Sequence, residues 1–339
     1  MYKNVLPILL FACMFSCKPK AGKDVAEINL HHSLVLDGDK LLLGKVRDMA
    51  WENDSVLVIV DSNQDGFLHF VSLSESKVFE CGRVGQGPGE FLFVGRVCSD
   101  LNNHLILFDV NKRECFVLQH GAAGISFQPL FHSEDSLIHL ELLPVQNNRY
   151  ITTGLHKDSR FYLLDRNGKS ICSFGEYPYR DEEERQVDGF IRGEIYQGKL
   201  AANPLRSCFV QAMRKAKILT FYEQSGAGWN LIKDIRESYP QYNYNNAAIS
   251  ADNPLGYLDV CATEKCVYAL YSGKTIRDKK DAAFGGHVIE VYGWDGTLLK
   301  RYLSDLPLKV IEVSKDDNYL YAIADNPDPV LVRFSLPGQ

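Results

Sequence analysis

Four carboxylates recur along this sequence, each set into an apolar run. Asp48 stands in Arg47-Asp48-Met49, Glu141 in Leu140-Glu141-Leu142, Asp259 in Leu258-Asp259-Val260 and Glu312 in Ile311-Glu312-Val313. Carboxylates brought together from separate segments can bind a cation or a sugar, or act as an acid/base pair. They can also accept backbone hydrogen bonds from a neighbouring segment and hold the structure together. That is the expected role here, because buried carboxylates usually have structural partners.

Other segments carry less chemistry. Gly82-Arg83-Val84-Gly85-Gln86-Gly87-Pro88-Gly89-Glu90-Phe91 is glycine-rich, yet no Lys-Ser/Thr follows it and Pro88 removes a donor, so it is no phosphate loop. Pro88-Gly89 instead suits the centre of a type II turn. The nine histidines are scattered. His31 and His32, adjacent on an extended segment, are expected to point their rings to opposite faces. No Gly-x-Ser-x-Gly elbow and no His-Glu-x-x-His occurs. Trp51, Trp229 and Trp294 read as inter-sheet packing rather than a carbohydrate surface. The acidic run Asp181–Glu184 reads as a solvated loop.

The elements that position these residues are strands. Short apolar runs recur between Gly, Asn, Asp and Pro, with almost no helical period. Asn167-Gly168 and Asp295-Gly296 punctuate hairpins, where both residues are expected at positive φ. Anchor strands begin near Val56, His104, Tyr150, Ser207, Cys266 and Tyr319, roughly every 50 residues, which is the size of a four-stranded propeller blade. A sandwich would show turns every 8–12 residues or so without that longer period. The fold class expected is therefore all-β, a six-bladed propeller. Its last unit lacks a fourth strand, so the N-terminal segment around Val25–Leu30 or Leu34–Leu36 is expected to complete it and close the ring. The four carboxylates then fall on innermost strands, beside the central channel, with no equivalent carboxylate in units two and four.

The N-terminus reads as an export signal: Lys3, an apolar run Val5 to Phe15, then Met14-Phe15-Ser16-Cys17 before polar Lys18-Pro19-Lys20. Residues 1–16 are expected to be a lipoprotein signal peptide, 17–24 a short tether and 25–339 the propeller. Cys17 is the expected lipid attachment site. The expected location is the cell envelope, lipid-anchored in the outer membrane and facing the periplasm. The net charge of −6, without a basic stripe, excludes nucleic acid as a partner. No cysteine pair has zinc-ligand spacing, and no cofactor is expected. A bridge between Cys261 and Cys266 across a tight hairpin is an open alternative to free thiols.

Gly85-Gln86-Gly87-Pro88-Gly89-Glu90-Phe91, behind such a signal and within a six-unit β array, resembles the six-bladed propeller lipoproteins of Bacteroides-type bacteria. Phe174-Gly175-Glu176-Tyr177-Pro178, Tyr196-Gln197-Gly198-Lys199-Leu200, Asn203-Pro204 and Phe209-Val210-Gln211-Ala212 are similar to the TolB-like subgroup. The resemblance implies the fold and an envelope location, and no catalytic residue. The expected function is a binding or scaffold surface for a peptide, protein or glycan, attached to the membrane through its lipid, with no catalysis assigned. The rival is a lyase or hydrolase acting on a sugar or lactone, with a metal-assisted site at the channel mouth drawing on Glu141, Asp259 and Glu312.

Overall fold

The computed structural model describes residues 25–61, 66–121 and 124–337; the leader and Cys17 lie outside the described residues. Each anchor run is the second strand of a blade. Blade 1 is Val46–Asn53, Val56–Asp61, Leu68–Ser72 and Lys77–Cys81; blade 2 is Val94–Ser99, Leu105–Asp109, Glu114–Gly121 and Gly124–His132. Blade 3 is Ile138–Val145, Arg149–Leu155, Phe161–Leu164 and Ser170–Phe174; blade 4 is Gly198–Ala202, Cys208–Met213, Ile218–Ser225 and Gly228–Arg236.

Blades 5 and 6 share one eight-stranded sheet, because Leu298–Val313 runs on for 16 residues. Its first half is the outer strand of blade 5, after Tyr257–Ala262, Cys266–Tyr271 and Gly286–Gly293. Its second half is the inner strand of blade 6, followed by Tyr319–Asp325 and Pro329–Ser335. His32–Leu36 pairs antiparallel with Pro329–Ser335 as the fourth strand of blade 6, which closes the ring as expected. Ala26–Leu30 does something else: it pairs parallel with Lys300–Ser304, adding a fifth strand to blade 5.

The anchor runs are apolar at consecutive positions because both their faces are buried. A strand sends alternate side chains to opposite faces. In Val56–Asp61, Leu57 and Ile59 enter the core shared with blade 6, while Val58 and Val60 enter the core shared with blade 2. Six such cores join successive blades around the ring, each drawing on two neighbours. At about 25 cal/mol per Å² of apolar surface removed from water, these cores are the main source of stability. Trp51 packs between blades 6 and 1, Trp229 against Phe209, and Trp294 between blades 4 and 5, so all three serve packing.

The Pro88-Gly89 turn has the expected form. Gly89 takes φ 72° and Glu90 N–H closes onto the Gly87 carbonyl at 3.1 Å. Asp109 clamps the chain that follows, accepting from Leu92 N–H at 2.6 Å and Phe93 N–H at 3.2 Å, and Lys112 Nζ donates to the Glu90 carbonyl at 2.7 Å.

Several expectations are corrected. At Asn167-Gly168 and Asp295-Gly296 only the glycines have positive φ, 78° and 76°. Gly168 N–H bonds the Asp165 carbonyl and Gly296 N–H the Gly293 carbonyl, so each hairpin holds a longer turn ending in a left-handed glycine. Asp181–Glu184 is solvated at its first three residues, but it is helical rather than loop. Asp181 caps the helical turn Glu182–Arg185, and Glu184 is buried with Tyr196 Oη donating to it at 2.7 Å. His31 falls between two strands, so its ring and that of His32 both reach Asp305. Cys261 pairs in register with Tyr268, and Cys261 and Cys266 are both free thiols. Among the described residues no helix is long and apolar enough to cross a membrane.

Candidate functional site

The inner strands expose their edges to the channel, and a local irregularity decides which side chains reach it. Register slips immediately before Asp48, Glu141 and Asp259, and the same slip lies beside Arg96. Such bulges re-aim a side chain that would otherwise pack against a neighbouring blade. Blade 4 has no slip and supplies Lys199 from a regular pair with Ala212. Five blades thus place Asp48, Arg96, Glu141, Lys199 and Asp259 at one level. In blade 6 the slip lies between Leu308 and Val310, which puts Val310 at that level and Glu312 two residues beyond it.

This level is a charged floor. Arg96 Nη1 lies 3.6 Å from Asp48 Oδ1 and 3.7 Å from Glu141 Oε2. Lys199 Nζ lies 3.4 Å from Asp48 Oδ1 and 3.3 Å from Glu141 Oε1, completing a closed ring of alternating charge. The carboxylates also stitch the backbone: Val97 N–H donates to Asp48 and Ile311 N–H to Asp259, both at 2.8 Å. Arg96 Nη2 donates to the Leu200 carbonyl at 2.7 Å, spanning from blade 2 to blade 4. Asp48 and Asp259 thus accept backbone hydrogen bonds from the next blade, whereas Glu141 makes ion pairs instead. Sequence reasoning from acidic residues misses Arg96 and Lys199; the signal is a charged residue of either sign at that place in the unit.

The electrostatics follow from burial. Burial opposes charge on Arg96 and Lys199, but Asp48 and Glu141 outweigh it and raise both pKa values. Burial raises Glu141 despite Lys199 and Arg96. It pushes Asp259 up to about 7, against the pull of Lys199. Glu312 is raised well above its usual range, through burial and then the nearby Asp259 and Asp48. It retains partial exposure because it faces open space, although protein crowds it on other sides.

That space is a cavity of about 390 Å³ above the floor, open at one mouth of the channel. Small residues make the room: Ala50, Cys98, Ala201 and Cys261 occupy the level at which blade 6 carries Glu312. Trp51 forms part of the wall, its indole N–H donating to the Val313 carbonyl at 2.8 Å. Blade 3 is screened from the cavity. Arg206 of blade 4 reaches over it to the Ser99 carbonyl of blade 2, and Gln146 Nε2 holds the Leu205 carbonyl at 2.9 Å.

The structure therefore brings together all four carboxylates, but not as one set. Asp48 and Glu141 are matched by cations, Asp259 is half satisfied, and Glu312 makes no hydrogen bond or ion pair among the described residues. No three His, Cys, Asp or Glu side chains among the described residues are grouped to hold a metal. Arg96 and Lys199 occupy the space between carboxylates where a metal ion would sit.

Comparison with known proteins agrees with the fold. The family model described as TolB-like 6-blade propeller-like matches residues 26–316. A search of curated proteins gave no match. Among solved structures, a Bacteroides fragilis protein described as a candidate exported protein is similar at 13% identity and TM-score 0.57, covering 92% of this chain and 99% of that one. A calcium-binding protein, regucalcin, from Agrobacterium tumefaciens matches at 10% identity and TM-score 0.55, covering 91% and 95%. A gluconolactonase from Xanthomonas campestris matches at 13% identity and TM-score 0.53, covering 87% of each chain.

Proposed function

Because this chain belongs to the TolB-like six-bladed propeller family, we propose that it is an exported cell-envelope binding protein, anchored by lipid at Cys17, whose ligand enters the cavity at the channel mouth. The ligand is a peptide, a segment of a partner protein or a glycan. One observation carries this reading: small residues on four blades open a polar cavity around a carboxyl group that has no partner among the described residues. A structural carboxyl has no need of such room. The floor beneath is neutralised by its own ion pairs and tied to the backbone, so it supports the cavity without competing for the ligand. Export is further supported by the likeness to the Bacteroides fragilis protein.

The rival, a sugar- or lactone-cleaving propeller, draws on the relatives described as a gluconolactonase and a calcium-binding protein. A shared fold alone does not carry chemistry across. Catalysis of that kind needs several ligands converging on one ion, whereas here the carboxylates converge on a guanidinium and an ammonium group.

The test is a thermal-shift titration of the purified chain with short peptides, hexoses and amino sugars. It is run in parallel on Leu101→Trp and Pro204→Trp, which place indoles at exposed positions of the mouth. Stabilising ligands whose shift disappears in these variants support the reading. Shifts that persist unchanged would move binding elsewhere on the ring, and metal-dependent lactone hydrolysis would favour the rival.

A further inference from the structure

The cavity is chemically lopsided. Of its lining groups, Asp48 is matched by Arg96 and Lys199, and Arg96 is spent on Asp48, Glu141 and the Leu200 carbonyl. Arg206 donates to the Ser99 carbonyl, but its Nε is buried without a hydrogen-bond partner and its charge opposes the proton on Glu312; Lys315 pairs with Asp54 at 2.7 Å. Glu52 pairs with His120, and Asp100 with His104 at 3.2 Å. Among the described residues two inward carboxyl groups make no ion pair; Glu264, also in the lining, is exposed and makes none either. Asp259 is only 4% exposed and lines the cavity; its Oδ2 takes the Ile311 N–H, and its Oδ1 receives nothing from the described residues. Glu312, from the next blade, has no partner at all among them. Trp51, half-buried in the packing between blades 6 and 1, borders the same wall.

A buried carboxyl oxygen without a donor is costly, and the cost is removed by a ligand that brings N–H groups and positive charge. We propose that the ligand of this cavity presents an organic ammonium group, seated between Asp259 and Glu312 beside Trp51. This rests on the reading of the cavity as a ligand site and names its chemistry. The groups facing Glu312 are Asp259 and Asp48, with Arg96 and Arg206 opposing them and the Cys261 thiol alongside. Before binding, the crowded carboxyls keep a proton on Glu312. The incoming ammonium takes its place as the positive partner, and that proton leaves to solvent. Binding therefore strengthens as pH rises, until the ligand amine itself loses its proton.

Isothermal titration of the purified chain tests this with two amines, Nα-acetyl-lysine methylamide and D-glucosamine, each against its N-acetylated neutral counterpart. Titrating in two buffers of different ionisation enthalpy counts released protons. The expected result is that one amine binds about tenfold or more tightly than its neutral twin, as a charge-assisted contact requires. Its affinity should rise from roughly pH 6 to 8, with proton release. Which amine responds separates a peptide source from an amino-sugar source. Glu312→Gln should cut the preference and the proton release, and Glu312→Gln combined with Asp259→Asn should erase both.

Neutral twins that bind as well as the amines, or amine binding untouched by Glu312→Gln, overturn the proposal, as does failure of both amines to bind. Neutral binding that Leu101→Trp blocks leaves the cavity as a ligand site and removes only the amine preference. Ligand shifts insensitive to Leu101→Trp remove both.

Discussion

His156 should make this propeller acid-labile by a calculable amount. Its ring is wholly buried in blade 3, Nε2 lying 3.1 Å from His139 Nδ1 and the ring packing on Tyr162 at 4.7 Å between centroids. Burial, then the charge of His139, lowers its pKa from 6.5 to about 3. A base depressed in the folded state is protonated first in the unfolded state. Stability is therefore full above pH 6.5 and falls as pH drops towards 3. At pH 4.5 the unfolded imidazole is two units below its pKa and the folded one still neutral, a loss of about 2.7 kcal/mol. That is a large part of a typical stability of roughly 5–15 kcal/mol. Asp135 works in the same direction at lower pH. Burial opposes its charge, but hydrogen bonds from His139 and Ser170 outweigh this and hold it well below the usual range, so its contribution is lost only as pH falls beneath about 4. Urea unfolding at pH 7.5 and 4.5 measures the effect, with His156→Gln as the non-titrating reference. Wild type should lose about 2–3 kcal/mol more than the variant between the two conditions. Equal losses would mean that His156 is not held neutral, and the argument from its burial would fail.

Cys17→Ala should release the chain from the membrane fraction and abolish lipid labelling; labelling that persists would refute Cys17 as the anchor. Deleting residues 26–36 should abolish the cooperative transition or lower its midpoint sharply in calorimetry, because these residues supply edge strands to blades 5 and 6; an unchanged midpoint would contradict that pairing. Gly89→Val should cost about 1–2 kcal/mol in urea unfolding from positive φ alone, since a side chain there meets nothing within 4 Å. Arg96→Met should cost about 3–5 kcal/mol by leaving Asp48 and Glu141 less compensated, and a neutral effect in the same assay would show that the ring of charges is dispensable.

The blades were legible because a strand buried on both faces is apolar at consecutive positions, as in Val56-Leu57-Val58-Ile59-Val60, and because such strands return at a blade's spacing. The Pro88-Gly89 turn was legible from backbone chemistry alone. The level at which each channel residue sits was not. It depends on one-residue slips beside Asp48, Arg96, Glu141 and Asp259, and on the equivalent slip in blade 6, which puts Val310 in the floor and Glu312 two residues beyond it. A bulge leaves little trace in residue type. Nor does sequence show that Ala26–Leu30 lies parallel to Lys300–Ser304, because parallel and antiparallel edge strands are apolar in the same places.

The separation between a structural floor and a carboxyl group left over for a ligand is tested most directly by the melting temperatures of Asp48→Asn and Glu312→Gln at pH 7. Asp48 takes the Val97 N–H and lies between Arg96 and Lys199, so its loss should lower the midpoint, by about 2 kcal/mol or more in stability. Glu312 has its pKa raised above the unfolded value, so its carboxyl weakens the fold as pH climbs above about 4, and Gln should leave the midpoint unchanged or raise it. A Glu312→Gln variant that melts as far below wild type as Asp48→Asn would show that Glu312 holds the ring together, and the cavity would lose its claim to be a binding site.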